Sequence, residues 1–413
     1  LFYEFVRAVG LTAMSQEPLL YDVFFLVQHL GILLTDLMGV VGTAIPVGVV
    51  LVWLVLAWLG HHGFRWILRA VEHWSWRSRG VLLFVIALGV AATEHDTEIE
   101  PKDTLADLRD NIGRSVDVYT GISEWVDDGA YKDIAAVQLR QQPRVHVYII
   151  ESYGSGILAS PIKDRYFALR EGYEARLTDA GWHIATGRSD APVMGGRSWL
   201  ADATMLSGRL IKFESVYRHM TKHFSSLVTL PRFFRDQGYR TVLMRQNNKV
   251  RPGVELVNHF DFTDTVFFDD IAYTGEPYGW AEVPDQVALG HLRDAVLPGL
   301  GDTPVFVFAH LGTSHIPWDD LPPLVDDWRE LQGDGVVDVA EETALTEAQI
   351  KFQMKRFKRQ DNVRLRRLSA SEENIGEYFD AIEYSFESVV RHIEALDDPP
   401  ELIIVMGDHQ PPL

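Results

Sequence analysis

The sequence predicts an α/β fold built on a mostly parallel central sheet, and three observations predict it. Short apolar runs rich in β-branched residues recur at RVHVYII (144–150), RTVLM (240–244), TPVFVFAHL (303–311) and ELIIVM (401–406). They are apolar throughout rather than alternating, as strands buried on both faces are. Stretches with helical spacing separate them, at 226–239, 284–300 and 372–396. Strand and helix in alternation argue for a parallel sheet covered on both sides.

The N-terminal quarter reads differently. Residues 23–41 (VFFLVQHLGILLTDLMGVV), 44–59 (AIPVGVVLVWLVLAWL) and 81–92 (VLLFVIALGVAA) are strongly apolar. A membrane span needs about 20 such residues, so the first has the length, although it carries Asp36, and the other two are short. Trp53, Trp58, Trp66, Trp74 and Trp76 sit at or near the segment ends, where interfacial aromatics concentrate. The expectation is a transmembrane region over 1–93, with helices about 22–41, 43–60 and 79–93. The loop between the second and third carries Arg65, Arg69, Arg77 and Arg79 against Glu72. Basic short loops stay in the cytoplasm, so the third helix runs outward and the rest of the chain lies outside. Residues 94–143 read as a helical linker, and 144–413 as an extracytoplasmic catalytic domain. The chain opens on LFYEFVRAVG and stops four residues after His409, so it is expected to be truncated at both ends.

Composition excludes some functions. With 38 Lys+Arg against 58 Asp+Glu the net charge is −20, the wrong sign for a nucleic-acid partner. The absence of Cys excludes disulfides, thiolate metal sites and a Cys nucleophile.

In parallel sheets the ligand site lies beyond the carboxyl ends of the strands. There the sequence places Glu151-Ser152-Tyr153-Gly154 after the first run, Gly312-Thr313-Ser314-His315-Ile316-Pro317-Trp318 after the third and Gly407-Asp408-His409 at the end of the last. Carboxylates and imidazoles without thiols suit a hard or borderline divalent ion: Mn, with Mg or Zn as alternatives. A nucleophile is supplied by PVMGGRSWLADATMLSGRL (192–210), where Ser198 follows a Gly-Gly turn and opens a short helical run ending at Gly208. A hydroxyl at a helix start can meet a phosphoryl group, or it can simply cap the helix.

The set Glu151-Ser152-Tyr153-Gly154, Gly196-Arg197-Ser198 with Leu206-Ser207-Gly208-Arg209, His315-x-Pro317, Tyr378-x-x-Ala381-Ile382 and Gly407-Asp408-His409 resembles the sulfatase-like branch of the alkaline phosphatase superfamily. Within it, the chain is similar to membrane-anchored phosphotransferases: lipoteichoic acid synthases, phosphoglycerol transferases and phosphoethanolamine transferases. The resemblance implies an alkaline-phosphatase-like sandwich preceded by transmembrane helices. It implies one divalent ion held by Glu151, Ser198, Asp408 and His409, with Ser198 as nucleophile. It implies His315 as a catalytic and phosphate-binding histidine outside the ligand set. Arg188, Arg197 and Arg209 flank the nucleophile segment and can hold a phosphate by paired hydrogen bonds or serve as surface ion-pair partners, and Trp318 is a further substrate-contact candidate. The implied reaction moves glycerol phosphate or phosphoethanolamine from a membrane phospholipid to an envelope glycan or lipid, in a multi-pass protein of the bacterial cell membrane.

The rivals are a phosphodiesterase or phosphatase, a sulfuric ester hydrolase, and a relative that binds without catalysis. Sulfatases form their nucleophile from Cys or Ser in a C/S-x-P/A-x-R motif, whereas Leu200 and Asp202 stand two and four residues after Ser198. The basic stretch KFQMKRFKRQDNVRLRR (351–367) reads as a solvated insertion, or as a contact for anionic lipid headgroups. His219 and His223 have zinc-compatible i, i+4 spacing but no third ligand nearby in the sequence, and read as surface residues.

Overall fold

A computed structural model of the chain describes residues 2–14, 17–23, seven positions between 55 and 65, 104–122, 133–224, 227–249, 258–318, 320–333, 372–396 and 400–411. The runs read as membrane helices, isolated positions apart, and the basic stretch 351–367 lie outside the described residues. Among the described residues no helix is long and apolar enough to cross a membrane.

The chain divides into two units, one spanning mainly Leu19–Asp117 and the other mainly Val118–Leu413. Helix α1 (Phe2–Met14) falls mainly in the second unit, and in the first, helix α2 (Thr104–Gly121) is tied to residues 20 and 21. The Leu20 and Tyr21 N–H groups donate to Asn111 Oδ1 at 2.9 Å and Ser115 Oγ at 3.4 Å.

The second unit is an α/β layer structure around a five-stranded sheet. Its strands are β1 (Val145–Ile150), β2 (Arg240–Arg245), β3 (Asp264–Phe267), β4 (Val305–Leu311) and β5 (Leu402–Gly407), in the order β3-β2-β4-β1-β5. Every pairing is parallel. Four of these strands are the four apolar runs of the sequence. β3 is new: four residues opening on a charged Asp264 carry too little pattern to stand out as a strand.

Among the described residues the sheet is framed by α3 (Lys163–Asp179), α4 (Ser198–Ser207), α5 (Glu214–Lys222), α6 (Leu230–Asp236), α7 (Asp285–His291) and α8 (Glu372–Glu394), besides a single helical turn at Phe268–Ile271. The helical stretch at 226–239 shortens to α6 because its start is set by Thr229, whose hydroxyl accepts from the Arg232 N–H with Pro231 in the first turn. That at 284–300 leaves α geometry at Leu292 for a π turn and then a 3₁₀ turn holding Pro298, which has no N–H for an α-helical bond.

Side chains alternate across the sheet and feed two cores. Tyr148 and Ile150 of β1, with Val305, Val307, Ala309 and Leu311 of β4, join Tyr378, Phe379 and Ile382 of α8. Val145, Val147 and Ile149, with Phe306 and Phe308, join Leu200, Ala203 and Leu206 of α4. His310 belongs by this alternation to the α4 face.

The α8 face buries a polar chain. Tyr148 Oη lies 2.8 Å from His146 Nδ1 and 2.9 Å from His392 Nε2. Burial pushes His146 down to about 4 and His392 down to about 3, from an ordinary 6.5. The folded values lie below the unfolded one, so the unfolded chain binds protons that the folded chain refuses. Stability from these two groups is therefore complete above pH 6.5 and lost as pH falls towards 4 and 3, at about 1.4 kcal/mol per pH unit for each. Urea midpoints measured from pH 7 to pH 4 should fall steeply, and His392→Asn should flatten the slope by about one proton. An unchanged slope would exclude His392 as a source.

Candidate functional site

Pairing register brings the first ligand candidates together. Ile150 is aligned with Gly407 across β1 and β5, so the next residues, Glu151 and Asp408, leave the sheet side by side. Ser152 then takes a left-handed backbone (φ 59°), a conformation costly for a residue with a Cβ. Three hydrogen bonds hold it: its N–H donates to Asp408 Oδ1 at 2.7 Å, its hydroxyl to Glu151 Oε1 at 3.1 Å, and its carbonyl accepts from the Tyr378 hydroxyl at 2.7 Å. Gly407 permits the approach, because a Cβ there would lie 1.7 Å from the Tyr153 carbonyl oxygen. Gly407→Ala should therefore separate β1 from β5, lower stability by about 1–3 kcal/mol and reduce turnover, as melting and assay would show.

Ser198 arrives from the other side. Met194 bridges to Gln410, and the Gly195 N–H donates to the Gln410 carbonyl at 2.9 Å. Gly195, Gly196 and Arg197 all have positive φ (65°, 134° and 66°), which turns the chain sharply into α4. Arg197 is the N-cap residue and Ser198 the first helical one. The hydroxyl is thus not spent on capping: it donates to Glu151 Oε2 at 2.9 Å and lies 3.3 Å from His409 Nε2. The His409 ring in turn lies 3.1 Å from Glu151 Oε1 and 3.2 Å from Asp408 Oδ2 through the same nitrogen. Its Nδ1 is engaged by the Gln410 carbonyl at 2.9 Å. Glu151, Ser198, Asp408 and His409, expected as one cluster, are together.

A fifth member was not foreseen. His310, the penultimate residue of β4, places Nε2 3.2 Å from Glu151 Oε2 and 3.6 Å from Asp408 Oδ2. Its Nδ1 lies 3.1 Å from Asp202 Oδ2, and Asp202 also pairs with Arg245 at the end of β2. The signal was present: an imidazole inside the apolar run FVFAHL must find partners when buried.

The charges answer one another. Burial raises the Glu151 carboxyl, but hydrogen bonds from His310 and His409 outweigh it and hold Glu151 well below its usual range. Burial and the neighbouring Glu151 charge push Asp408 up to about 7. Burial lowers both imidazoles, yet Asp202, Glu151 and Asp408 hold His310 well above 6.5, and Glu151 and Asp408 raise His409 to about 9.

Such a cluster fits a divalent cation. Glu151, His310 and Asp408 each offer a donor atom, all within 4.8 Å of one another. Asp408 Oδ2 is buried and accepts no hydrogen bond, an acceptor left for a ligand. Both imidazoles have Nδ1 engaged elsewhere and Nε2 turned inward.

His315 lies past β4, half-buried, with Nδ1 2.5 Å from the Ile316 carbonyl. Burial is the main cause that pulls its pKa below 6.5. Its ring stacks on Trp280 with centroids 4.1 Å apart. Arg197 precedes the nucleophile candidate and is buried. Trp318 is 5 % exposed, donates from Nε1 to the Ser314 carbonyl at 2.8 Å and packs on Tyr378; its bulk is core, and the half-exposed Trp280 holds the place beside His315. Arg209 follows the C-cap Gly208, at the end of α4 opposite Ser198, and is buried. The His219 and His223 rings lie 4.4 Å apart, tilted by 32°, on α5 and its C-terminal edge, and among the described residues no third ligand joins them.

Asp285, also unforeseen, pins the His315 loop: its Oδ1 accepts from the N–H groups of Gly312 and Thr313 at 3.0 and 3.1 Å and from Gln246 Nε2 at 2.8 Å, while Oδ2 accepts from Ser385 at 2.6 Å.

Among curated proteins, none matches the chain significantly. Two solved structures are similar. One is the lipoteichoic acid synthase LtaP from Listeria monocytogenes, at 14 % identity and TM-score 0.40, covering 67 % of this chain and 61 % of that one. The other is a protein in the alkaline phosphatase superfamily from Vibrio parahaemolyticus, at 16 % identity and TM-score 0.30, covering 66 % and 56 %. The chain thus spans about three fifths of the length of the structures it matches. The sulfatase family profile matches residues 200–413, just over half of the 413 residues. The α/β chain with its five parallel strands belongs to the sulfatase family.

Proposed function

We propose that the protein transfers a phospho-alcohol headgroup, glycerol phosphate or phosphoethanolamine, from a membrane phospholipid to an envelope glycan or lipid. The observation that carries this reading is the Ser198 hydroxyl, 2.9 Å from Glu151 and 3.3 Å from His409 at the first residue of α4. A sulfate ester substrate is disfavoured by the same segment. The position of the sulfatase motif's Arg is Asp202, which is committed to His310 and Arg245.

In the first displacement Ser198 Oγ, its proton released to water, bonds to phosphorus, while the bond from phosphorus to the lipid alcohol oxygen breaks and that oxygen takes a proton from His315. In the second, an acceptor hydroxyl bonds to phosphorus and gives its proton to His315, while the bond from phosphorus to Ser198 Oγ breaks and Oγ takes a proton back from water. Water in place of the acceptor gives a phosphodiesterase. Glu151, Asp408, His409 and Ser198 would hold a divalent ion, which would supply Lewis acidity to the hydroxyl and to a phosphoryl oxygen. Glu151 orients the Ser198 hydroxyl. His315, with Nδ1–H directed to the Ile316 carbonyl, leaves Nε2 to accept the proton of the acceptor hydroxyl and, by microscopic reversibility, to return one to the leaving alcohol. Membrane anchoring on the outer face and the lipid donor rest on the apolar N-terminal runs and stand as part of this proposal.

The test offers purified protein with manganese a phosphatidylglycerol, a phosphatidylethanolamine and an aryl sulfate. Diacylglycerol release from a phospholipid with transfer to an added acceptor is the expected result; sulfate release alone would overturn the reading. His315→Ala should lower turnover about 10²–10⁴-fold with metal content unchanged. Loss of the metal in that variant would make His315 a ligand instead.

A further inference from the structure

Asp202 lies one helical turn after Ser198 on α4, is 2 % exposed, and faces β2 and β4. Its carboxylate engages two groups. Arg245 pairs with Oδ2, and His310 Nδ1 lies 3.2 Å from Oδ1 and 3.1 Å from Oδ2. On the far side of the ring, Nε2 points at Glu151 Oε2 and Asp408 Oδ2, 3.2 and 3.6 Å away, the second of which accepts no hydrogen bond. A metal-bound imidazole characteristically gives its other N–H to a carboxylate, which fixes the tautomer and raises the basicity of the ligating nitrogen. His409 shows the equivalent arrangement with a backbone carbonyl at Nδ1 and Nε2 turned to the same carboxylates.

We infer that Asp202 is a positioning residue that holds His310 as the Nδ1–H tautomer, so that His310 joins His409 as a second imidazole ligand of the divalent-ion site. The placement follows from the fold. Side-chain alternation along β4 sends His310 to the α4 face, and the turn of helix from Ser198 to Asp202 puts nucleophile and positioning carboxylate on one rigid element. Arg245 pairs with Asp202 Oδ2 while His310 Nδ1 faces both carboxylate oxygens, an acceptor pair for the Nδ1–H. The consequence is a site richer in nitrogen than the set Glu151, Ser198, Asp408 and His409. It is also a site whose ligand geometry is coupled to the position of Ser198.

The inference rests on a divalent-ion site but not on which headgroup is transferred, and its test uses manganese(II) alone without substrate. Pulsed electron paramagnetic resonance of the manganese-loaded wild-type chain, with and without ¹⁵N-labelled histidine, counts the bound imidazole nitrogens. Two are expected, and one would overturn the assignment of His310. Manganese affinity by titration calorimetry should fall about 10–100-fold in Asp202→Asn, whose amide can donate to Nδ1 and drive the ring proton onto Nε2. Asp202→Ala, which leaves the tautomer free, should lose less. A merely structural role makes the opposite prediction, since Asn preserves the shape of Asp and Ala does not. Affinity retained in Asp202→Asn, or a smaller loss there than in Asp202→Ala, would overturn the role of Asp202. Circular dichroism melts on each apo variant identify loss through unfolding, and the nitrogen count on the wild-type chain needs no variant at all.

Discussion

Ser198→Ala is expected to remove turnover, by about 10⁴-fold or more, while leaving the fold intact. Loss of a nucleophile removes the covalent route, and only binding and electrostatic stabilisation remain to give a residual rate. The structural cost is small. Arg197, not Ser198, is the N-cap residue of α4, so the helix keeps its start. What disappears is one hydrogen bond to Glu151, and the Oγ contact with His409. Glu151 retains His310, His409 and the Ser152 hydroxyl as partners. The melting temperature should stay close to wild type. Activity near wild type would show that Ser198 is not the nucleophile.

Asp408→Asn should be nearly as damaging, through the metal rather than the covalent bond. Asp408 Oδ1 accepts from the N–H groups of Ser152 and His409, each at 2.7 Å, and Oδ2 faces the cluster. An amide can keep the first role through its oxygen but turns an NH₂ towards His310, His409 and the ion. Loss of a ligand carboxylate should exceed the 10–100-fold effect typical of groups behind the ligands. Metal analysis should find the variant empty at ion concentrations that fill the wild type. Apo stability should not fall, because burial and Glu151 already push this carboxyl up to about 7; the site holds a charge that the empty fold does not favour. An Asn variant that retains metal and turnover would remove Asp408 from the ligand set.

The parts of the molecule that were legible in the sequence share a physical cause. Strands β1, β2, β4 and β5 are buried on both faces of a parallel sheet, so they stand out as continuous apolar runs. The residues just past them, Glu151 and Gly407-Asp408-His409, could be placed because parallel sheets gather their strand ends at one edge. Ser198 was legible from the glycines before it, which carry the positive φ values that aim it. His310 and Asp202 were not. Each lies inside an element, one in an apolar strand and one in an apolar helix, where local pattern says only that the position is buried. Their meeting depends on α4 packing over β4, a contact between residues 108 apart in sequence. Trp280 was missed for a similar reason. Proximity to His315 in sequence favoured Trp318, but the loop sends that indole inward to the Ser314 carbonyl, while the turn at 278–282 returns Trp280 to the imidazole.

The measurement that bears most directly on the central claim is mass spectrometry of the protein after incubation with manganese and membrane phospholipids, with peptide mapping of any adduct. The account predicts a glycerophosphoryl or phosphoethanolamine group esterified to Ser198, present in wild type and absent from Ser198→Ala. An adduct on another residue, or substrate turnover by the wild-type protein with no covalent species under rapid quench, would contradict it.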